Sequence, residues 1–227
     1  MLFRSDEKRN DLINQKIKDN NLPLKLISQN KYEYTFECTE CNKEFSILNQ
    51  TFNQRIKNKI LNSGATGNQK ITSKMFGLIT DPDSNAYKHY KLRAMCNKLP
   101  YVDYTPTLQS EYVNDKYPLL LSKYAAAIAA TTTFPTIKYW EIPAAGTLTF
   151  MEITDLNMGK YLGFVDGKST VFINENNYKQ KFEEYLHDLD DPKWEEIALA
   201  GRKYALDELN NDKAVTSLVD LITELMK

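Results

Sequence analysis

The segment KYWEIPAAGTLTF, residues 138–150, carries one acid, Glu141, ahead of a proline, a cluster of small residues and a run of strand formers. Glu141 stands two residues before Pro143 and five before Gly146. On a short helix between two parallel strands, such a carboxylate could reach the sheet edge and accept both hydroxyls of a ribose, as an acid does in dinucleotide-binding folds. Spacing alone favours a simpler role, in which Glu141 is solvated or pairs with Lys138.

The turn NSGATGN, residues 62–68, carries Ser63, Gly64 and Gly67 directly after a predicted strand. Its backbone amides could approach a phosphate, helped by the N-terminus of a following helix. The glycine spacing matches neither a P-loop nor a dinucleotide fingerprint. By itself the segment is therefore more typical of a tight turn between a strand and a helix.

The chain has two histidines, His89 and His187, and they are far apart in the sequence. His187 falls at the polar end of an amphipathic segment, where a solvated side chain is expected. His89, in YKHYKLR, is the only candidate base near the predicted sheet edge, although no acid that would partner it is evident.

Cys38 and Cys41, in FECTECNKEF, form a C-x-x-C pair flanked by aromatic residues. Such a pair is half of a zinc ribbon, because tetrahedral zinc takes four ligands and the second pair usually comes as another C-x-x-C. No second pair exists, and Cys96 and His89 could contribute only if the domains fold together. A structural zinc at Cys38 and Cys41 and a plain β-hairpin without metal therefore both stay open.

The elements that would position these residues change character near residue 55. Residues 1–54 contain short aromatic or β-branched runs, LKLIS, YEYTFEC and KEFSIL, which predict a small β-hairpin module. From residue 55 to 227 strand and helix patterns alternate. This alternation indicates an α/β domain with a Rossmann-like, mostly parallel sheet and helices on both faces. Ligands in such sheets bind outside the carboxyl ends of the strands.

Several segments predict individual helices. ITSKMFGLIT and DPDSNAYKHYKLRAM are predicted helices, and Pro118 is expected to kink or divide the helical pattern around it. Pro135 is expected to open the short helix that carries Glu141. The last segment places four apolar residues on one helical stripe. They are Val215, Leu218, Val219 and Ile222.

Composition excludes some function classes. The net charge of −1, from 29 basic and 30 acidic residues, gives no electrostatic reason to expect a nucleic acid or a membrane surface as partner. The longest apolar stretch is shorter than the roughly 20 residues that a spanning helix needs. The charged N-terminus has no apolar signal region, and the three cysteines form no disulfide framework. We therefore predict a cytoplasmic protein without a membrane span.

Three segments occur in an order and spacing similar to the C-terminal half of GT-B glycosyltransferases, closest to the CgeB-like group. They are KYWEIPAAGTLTF, LGFVDGKSTVFI and FEEYLHDLDDPKWEEIALAGRKYAL. KILNSGAT and EYVNDKYPLLLSKYAAAIA resemble the opening strand and the helix–strand unit of the same half. The resemblance covers residues 55–227 and is most specific in the last hundred residues.

The resemblance implies a nucleotide-diphosphate sugar donor, bound at the carboxyl edge of the sheet without any required cofactor. Glu141 matches the acid that binds the donor ribose. Gly146 and Thr147 match the turn whose backbone nears the donor phosphates, and Ser63 and Gly64 match the first turn, beside the diphosphate.

The chain also departs from that group. Many retaining members carry a second Glu upstream of the ribose acid, where this chain has Thr133. No basic residue after the first turn matches clearly, and the candidates are Lys70, Lys74 and Arg93. Residues 1–54 are too few for the N-terminal Rossmann half, so the resemblance implies a fragment, an acceptor domain supplied by a partner, or lost catalysis.

The predicted function is that of a glycosyltransferase, or a truncated or split part of one. It would transfer a glycosyl group from a nucleotide-sugar donor to an unknown acceptor, whether glycan, protein or small molecule. The alternative is a non-catalytic nucleotide-binding or interaction protein with a zinc-knuckle-like N-terminal module.

Overall fold

A computed structural model describes residues 11, 14–15, 17–19, 24–29, 33–42, 44–48, 52, 55–63, 81–104 and 117–226. The chain divides into two compact units, Met1–Thr51 and Phe52–Lys227. Each unit has its own β-sheet.

The first unit contains a three-stranded antiparallel sheet in the order β1-β2-β3. The strands are β1 (Leu24–Gln29), β2 (Glu33–Cys38) and β3 (Glu44–Leu48). Phe36, in the central strand, pairs with Leu26 on one side and Phe45 on the other, and its side chain is buried. The predicted β-hairpin module is thus a sheet with one strand more than a hairpin.

The second unit contains a five-stranded sheet whose strands are all parallel, in the order β5-β4-β6-β7-β8. The strands are β4 (Ile56–Leu61), β5 (Val102–Asp103), β6 (Tyr124–Ala129), β7 (Leu148–Glu152) and β8 (Val171–Ile173). The prediction of an α/β, Rossmann-like parallel sheet is confirmed. Because β5 lies on one side of β4 and β6 on the other, the strand order reverses between β4 and β6.

The described residues of the second unit also form six α-helices and one 3-10 helix. They are α1 (Asn85–Cys96), α2 (Tyr117–Leu121), α3 (Lys138–Ala144), the 3-10 helix (Gly159–Leu162), α4 (Tyr178–His187), α5 (Pro192–Glu208) and α6 (Asn211–Leu225). None of the helices described here is both long and apolar enough to cross a bilayer.

Local sequence explains most helix starts. The side chains of Ser84, Asp191 and Asn210 cap α1, α5 and α6 by accepting backbone N–H groups. Pro135, by contrast, lies two residues before the cap of α3, Ile137, so the helix does not begin at this proline as predicted. Pro118 lies in the first turn of α2, where its missing N–H costs no helical hydrogen bond.

Two apolar clusters hold the layers together, one on each face of the sheet. The first joins α1 and α4 to the sheet through Leu92 and Phe182, and the second joins α2 and α3 through Leu121 and Ile142. Helix α5 contributes to both clusters. Between the layers, β6 is built mostly of alanine, and its residues 125–129 are fully buried.

Helix α6 differs from the others because none of its residues is buried. The predicted apolar stripe exists as a helix face, but all of its residues are exposed.

Candidate functional site

The candidate site lies where the strand order reverses, at the carboxyl ends of β4 and β6. Open α/β sheets commonly bind ligands in a crevice outside the strand ends at such a reversal. Five side chains approach it from β4, α1, α2 and α3, and we call them the switch-point cluster. They are Ser63, Arg93, Tyr117, Lys138 and Glu141.

Lys138, the first residue of α3, is held by the hydroxyls of Tyr117 and Ser63. Its Nζ donates to Tyr117 Oη at 2.9 Å and lies 3.5 Å from Ser63 Oγ. The two hydroxyls are hydrogen-bonded to each other at 2.6 Å, and the ammonium lies 4.1 Å from the centroid of the Tyr117 ring. Cation–π attraction therefore adds to the hydrogen bonds that fix Lys138.

Arg93 ties α1 to the end of β4. It is only 3% exposed, and its guanidinium donates to Asn62 Oδ1 at 3.2 Å and to the carbonyl oxygen of Ser63. Asn62 in turn donates to the Arg93 carbonyl at 3.1 Å. These bonds fix the position of Ser63 at the mouth of the crevice.

Neither Arg93 nor Lys138 forms an ion pair with a carboxylate in the part of the chain that the structure describes. Burial and, to a lesser extent, the nearby charge of Arg93 lower the pKa of Lys138 to about 8, although the charge of Glu141 opposes both effects. Burial likewise lowers the pKa of Arg93. A buried and a half-buried cation that lack a carboxylate partner among the described residues create a positive potential that favours an anion at this edge.

Glu141 lies one helical turn after Lys138, on the same side of α3. Its carboxylate makes no hydrogen bond and no ion pair with any residue whose placement is described. Partial burial raises its pKa, and the charge of Lys138 acts in the opposite direction. The ion pair with Lys138 is not formed, because Lys138 turns to Ser63 and Tyr117 instead, and a solvated Glu141 stays the simpler alternative.

Gly146 and Thr147 lie at the opposite edge of the sheet. Both residues come directly before β7, so they lie at the amino edge of the parallel sheet. Ser63 follows β4 and therefore lies at the carboxyl edge. Arg55, which precedes β4, donates to the Gly146 carbonyl at 2.7 Å and to Thr147 Oγ1 at 3.1 Å. The structure thus does not bring these two residues together with Ser63 and Glu141, and we leave them out of the switch-point cluster.

The other predicted residues have separate outcomes. Gly64, Lys70 and Lys74 lie outside the described residues. His187 is exposed at the end of α4. His89 is buried under the segment that follows β6, as the next paragraph describes.

His89 Nδ1 lies 2.5 Å from Thr133 Oγ1, and its ring packs against Phe134 with centroids 4.5 Å apart. Burial, and to a lesser extent the charge of Arg93, lower the pKa of His89, so the neutral imidazole is favoured near pH 7. A neutral imidazole can accept a proton, and its role as a base stays a prediction.

Cys38 and Cys41 lie together in the turn between β2 and β3 and are free thiols. Cys96 is a free thiol that is fully buried in the core of the second unit. Within the described residues, no group of three or more His, Cys, Asp or Glu side chains is placed to hold a metal ion.

Glu152 is a residue of this edge that the sequence prediction missed. It ends β7, is 1% exposed, and neither carboxylate oxygen has a hydrogen-bond partner of good geometry among the described residues. Burial and the charge of Glu175 raise its pKa to about 7, while Thr132, Arg93 and Lys91 act in the opposite direction. An acid at the end of an otherwise uncharged, buried strand, LTFME, is the signal that could have identified it.

A hydrogen-bond network fixes the ends of β6 and β7. Tyr139 Oη lies 3.1 Å from the N–H of Thr131 and donates to the Glu152 carbonyl at 3.0 Å. Asn157 Nδ2 donates to the same carbonyl at 2.7 Å, and Asn157 Oδ1 accepts the N–H of Gly159 at 2.9 Å. The segments after both strands are therefore held in one arrangement beside the switch-point cluster.

No protein-family model matches the chain, and no curated protein matches it. The function therefore has to be inferred from the chemistry of the switch-point cluster, with the resemblance to GT-B glycosyltransferases as a hypothesis beside it.

Proposed function

We propose that the second unit binds a nucleotide-diphosphate sugar at the switch-point cluster and is the donor-binding part of a GT-B-type glycosyltransferase. One observation carries the proposal. The buried Arg93 and the half-buried Lys138 have no carboxylate ion-pair partner among the described residues. They lie at the reversal of strand order beside Glu141, whose carboxylate is likewise unpaired within the described part of the chain.

The two kinds of charge fit the two ends of a nucleoside diphosphate. Lys138 offers a charged donor for phosphate oxygens, and Arg93 adds positive potential behind the Ser63 backbone. Glu141, one turn away, can accept hydrogen bonds from the two ribose hydroxyls. A site for inorganic phosphate alone has no use for this carboxylate, because it would repel the anion.

The same charges assist glycosyl transfer. The bond between the sugar C1 and the diphosphate oxygen breaks, and C1 forms a bond to an acceptor hydroxyl oxygen whose proton passes to a base. The departing diphosphate gains negative charge in this step, and preorganised cations stabilise that charge. Lys138 is placed for this role, and the acceptor comes from another domain or molecule.

Isothermal titration of the full chain with UDP, GDP, ADP, CDP and TDP tests the binding step. We expect at least one of them to bind with micromolar Kd. Lys138→Met should weaken that binding by about 10- to 100-fold, because a charge-assisted hydrogen bond contributes about 1.5–3 kcal/mol. Lys203→Met is the control, since Lys203 is exposed and pairs with Asp207 on the surface.

Glu141→Gln separates the ribose contact from the phosphate contact. This variant should bind the preferred diphosphate more weakly than wild type, yet bind its 2′,3′-dideoxy analogue equally well. The proposal fails if no diphosphate binds, or if Lys138→Met binds as tightly as wild type. If a diphosphate does bind, its release from the corresponding nucleotide sugar in the presence of the full chain would show catalysis.

A non-catalytic nucleotide-binding protein is the second candidate. The observation in its favour is Thr133, which is exposed after β6 at the position where the resemblance implies a second acid. Nucleotide binding without any turnover of the matching nucleotide sugar, in the presence of candidate acceptors, would favour this alternative.

A further inference from the structure

Helix α6 presents a continuous apolar face to solvent, and we call its seven residues the α6 face. At 3.6 residues per turn they cover an arc of roughly 160° around the helix axis. Each is between 48% and 82% exposed. They are Val215, Leu218, Val219, Leu221, Ile222, Leu225 and, at the C-cap, Met226. The helix is anchored at its start, because Asn210 caps its first turn and Lys213 Nζ lies 3.0 Å from Glu208 Oε2 of α5.

The α6 face is large for a chain that acts alone. Its residues expose on the order of 700 Å², whereas the largest apolar patch of a typical monomer covers about 300–600 Å². Each partner in a stable complex buries roughly 800 Å². The face therefore has about the area that one protein partner of ordinary interface size would cover.

The charges of α6 indicate which kind of surface can cover it. Helices that lie on anionic membranes carry lysine and arginine on their polar face. Within Asn211–Leu225, α6 has three acids and one lysine, and this lysine, Lys213, pairs with Glu208. An anionic membrane would repel a helix of this charge, so the charges favour a protein partner.

The order of the apolar residues favours an identical helix as that partner. Four residues of the face are spaced three, four and three apart, which places them at the first and fourth positions of a heptad repeat. They are Val215, Leu218, Ile222 and Leu225. β-branched residues at the first position, Val215 and Ile222, combined with leucine at the fourth position favour two parallel strands. The residues that flank this seam, Val219 and Leu221, are uncharged, so two copies of α6 bring no like charges together there.

We propose that α6 pairs in parallel with α6 of a second copy of this chain, and that this pairing forms a homodimer. A twofold axis along the seam makes the interface isologous, so that Leu218 and Ile222 of one copy each meet the same residue of the other. The charged residues Asp220 and Glu224 stay on the outer side, in solvent. This inference does not depend on the nucleotide site, since α6 contributes no residue to the switch-point cluster.

Sedimentation equilibrium of the full chain over a range of micromolar concentrations tests the proposal. We expect a species of twice the 26.3 kDa of one chain. Leu218→Asp should weaken dimerisation by about 100-fold or more, because the seam would bury two unpaired carboxylates. Since Leu218 is exposed on its own unit, tryptophan fluorescence during urea unfolding should show an unchanged core in this variant. Thr216→Asp, at an exposed residue on the polar side of α6, is the matched control and should dimerise as wild type does.

Ile222→Glu and Ile222→Lys distinguish a second copy from any other occupant of the α6 face. Each variant alone should be monomeric, because like charges would meet at the seam, whereas a mixture of the two should contain more dimer than either variant alone. Binding of another part of the same chain, of a lipid or of a different protein would not produce this rescue. A wild type that stays monomeric, a trimer or tetramer, a Leu218→Asp variant that dimerises normally, or a mixture without additional dimer would each overturn the proposal.

Discussion

Glu152→Gln should change how the stability of the second unit depends on pH. Glu152 is buried at the end of β7, and its pKa rises from the ordinary value of 4.5 to about 7. Because the folded-state pKa lies above the unfolded-state pKa, the native state holds a proton between these two values that the unfolded state has lost. Stability is therefore greatest at low pH and falls as pH rises from about 4.5 to 7.

The size of this effect follows from the shift. A pKa that rises by about 2.5 units corresponds to roughly 3 kcal/mol of lost stability once the carboxylate is ionised in both states, and about 2–3 kcal/mol of this is lost between pH 5 and 8. Glutamine cannot ionise, so the variant lacks this loss. Other titrating groups, His89 included, contribute equally to wild type and variant and cancel in the difference.

Urea unfolding of wild type and Glu152→Gln at pH 5, 6, 7 and 8 measures this difference. The stability of the variant relative to wild type should increase by about 2–3 kcal/mol from pH 5 to pH 8. The difference in unfolding free energy between variant and wild type at pH 5 reflects burial of the glutamine amide and is not part of the prediction. Glu196→Gln, at an exposed residue of α5, is the control and should run parallel to wild type. Parallel curves for Glu152→Gln as well would refute the reasoning.

Three further outcomes are expected. Affinity for the preferred nucleoside diphosphate should change little between pH 7 and about 7.5 and fall above pH 8 by up to tenfold per pH unit, as Lys138, with its pKa of about 8, loses its proton. Titration of Lys138→Arg over the same pH range should give a flat profile. Tyr139→Phe should lower the free energy of unfolding by about 1–3 kcal/mol, because it removes the hydroxyl that joins the ends of β6 and β7. Urea unfolding measures this loss, with Tyr161→Phe at an exposed residue as the control. Gly201→Ala should lower the free energy of unfolding by about 1–3 kcal/mol or more, since a Cβ there meets the carbonyl oxygen of Ser169. Ala200→Ser, on the exposed side of α5, should leave stability unchanged, and thermal unfolding measures both variants.

The fold class was predictable because strand and helix patterns along residues 55–227 have different periods and alternate. The capping residues Ser84 and Asp191 also stand where local hydrogen bonding requires them. Pro135 misled the prediction, because a proline near a helix start does not say which following residue accepts the first helical hydrogen bond. The packing of Tyr139 and Ile142 against the sheet decides where helix α3 begins.

The candidate site was predictable only in part. The strand patterns place Ser63 and the start of α3 at the carboxyl edge, as expected. The resemblance assigned Gly146 and Thr147 to the same ligand, but helix α3 carries the chain across to the amino edge, where both residues lie. Lys138 depends on burial, which arises from residues distant in sequence and has no local signal. Glu152 had one local signal, its position at the end of an uncharged strand segment, but its burial also comes from distant residues.

The alanines of β6 determine how far apart the two helical layers lie at the middle of the second unit. Side chains of a single carbon let helices on both faces approach the central strand closely. Side-chain volume, and not polarity, therefore limits which residues this strand can hold. A larger aliphatic residue at Ala127 would be more hydrophobic, yet it would force the layers apart and shift the strand end from which the segment beside the crevice emerges. Substitutions that widen this central layer should therefore be rarer among natural variants of this chain than polar changes on its outer helices.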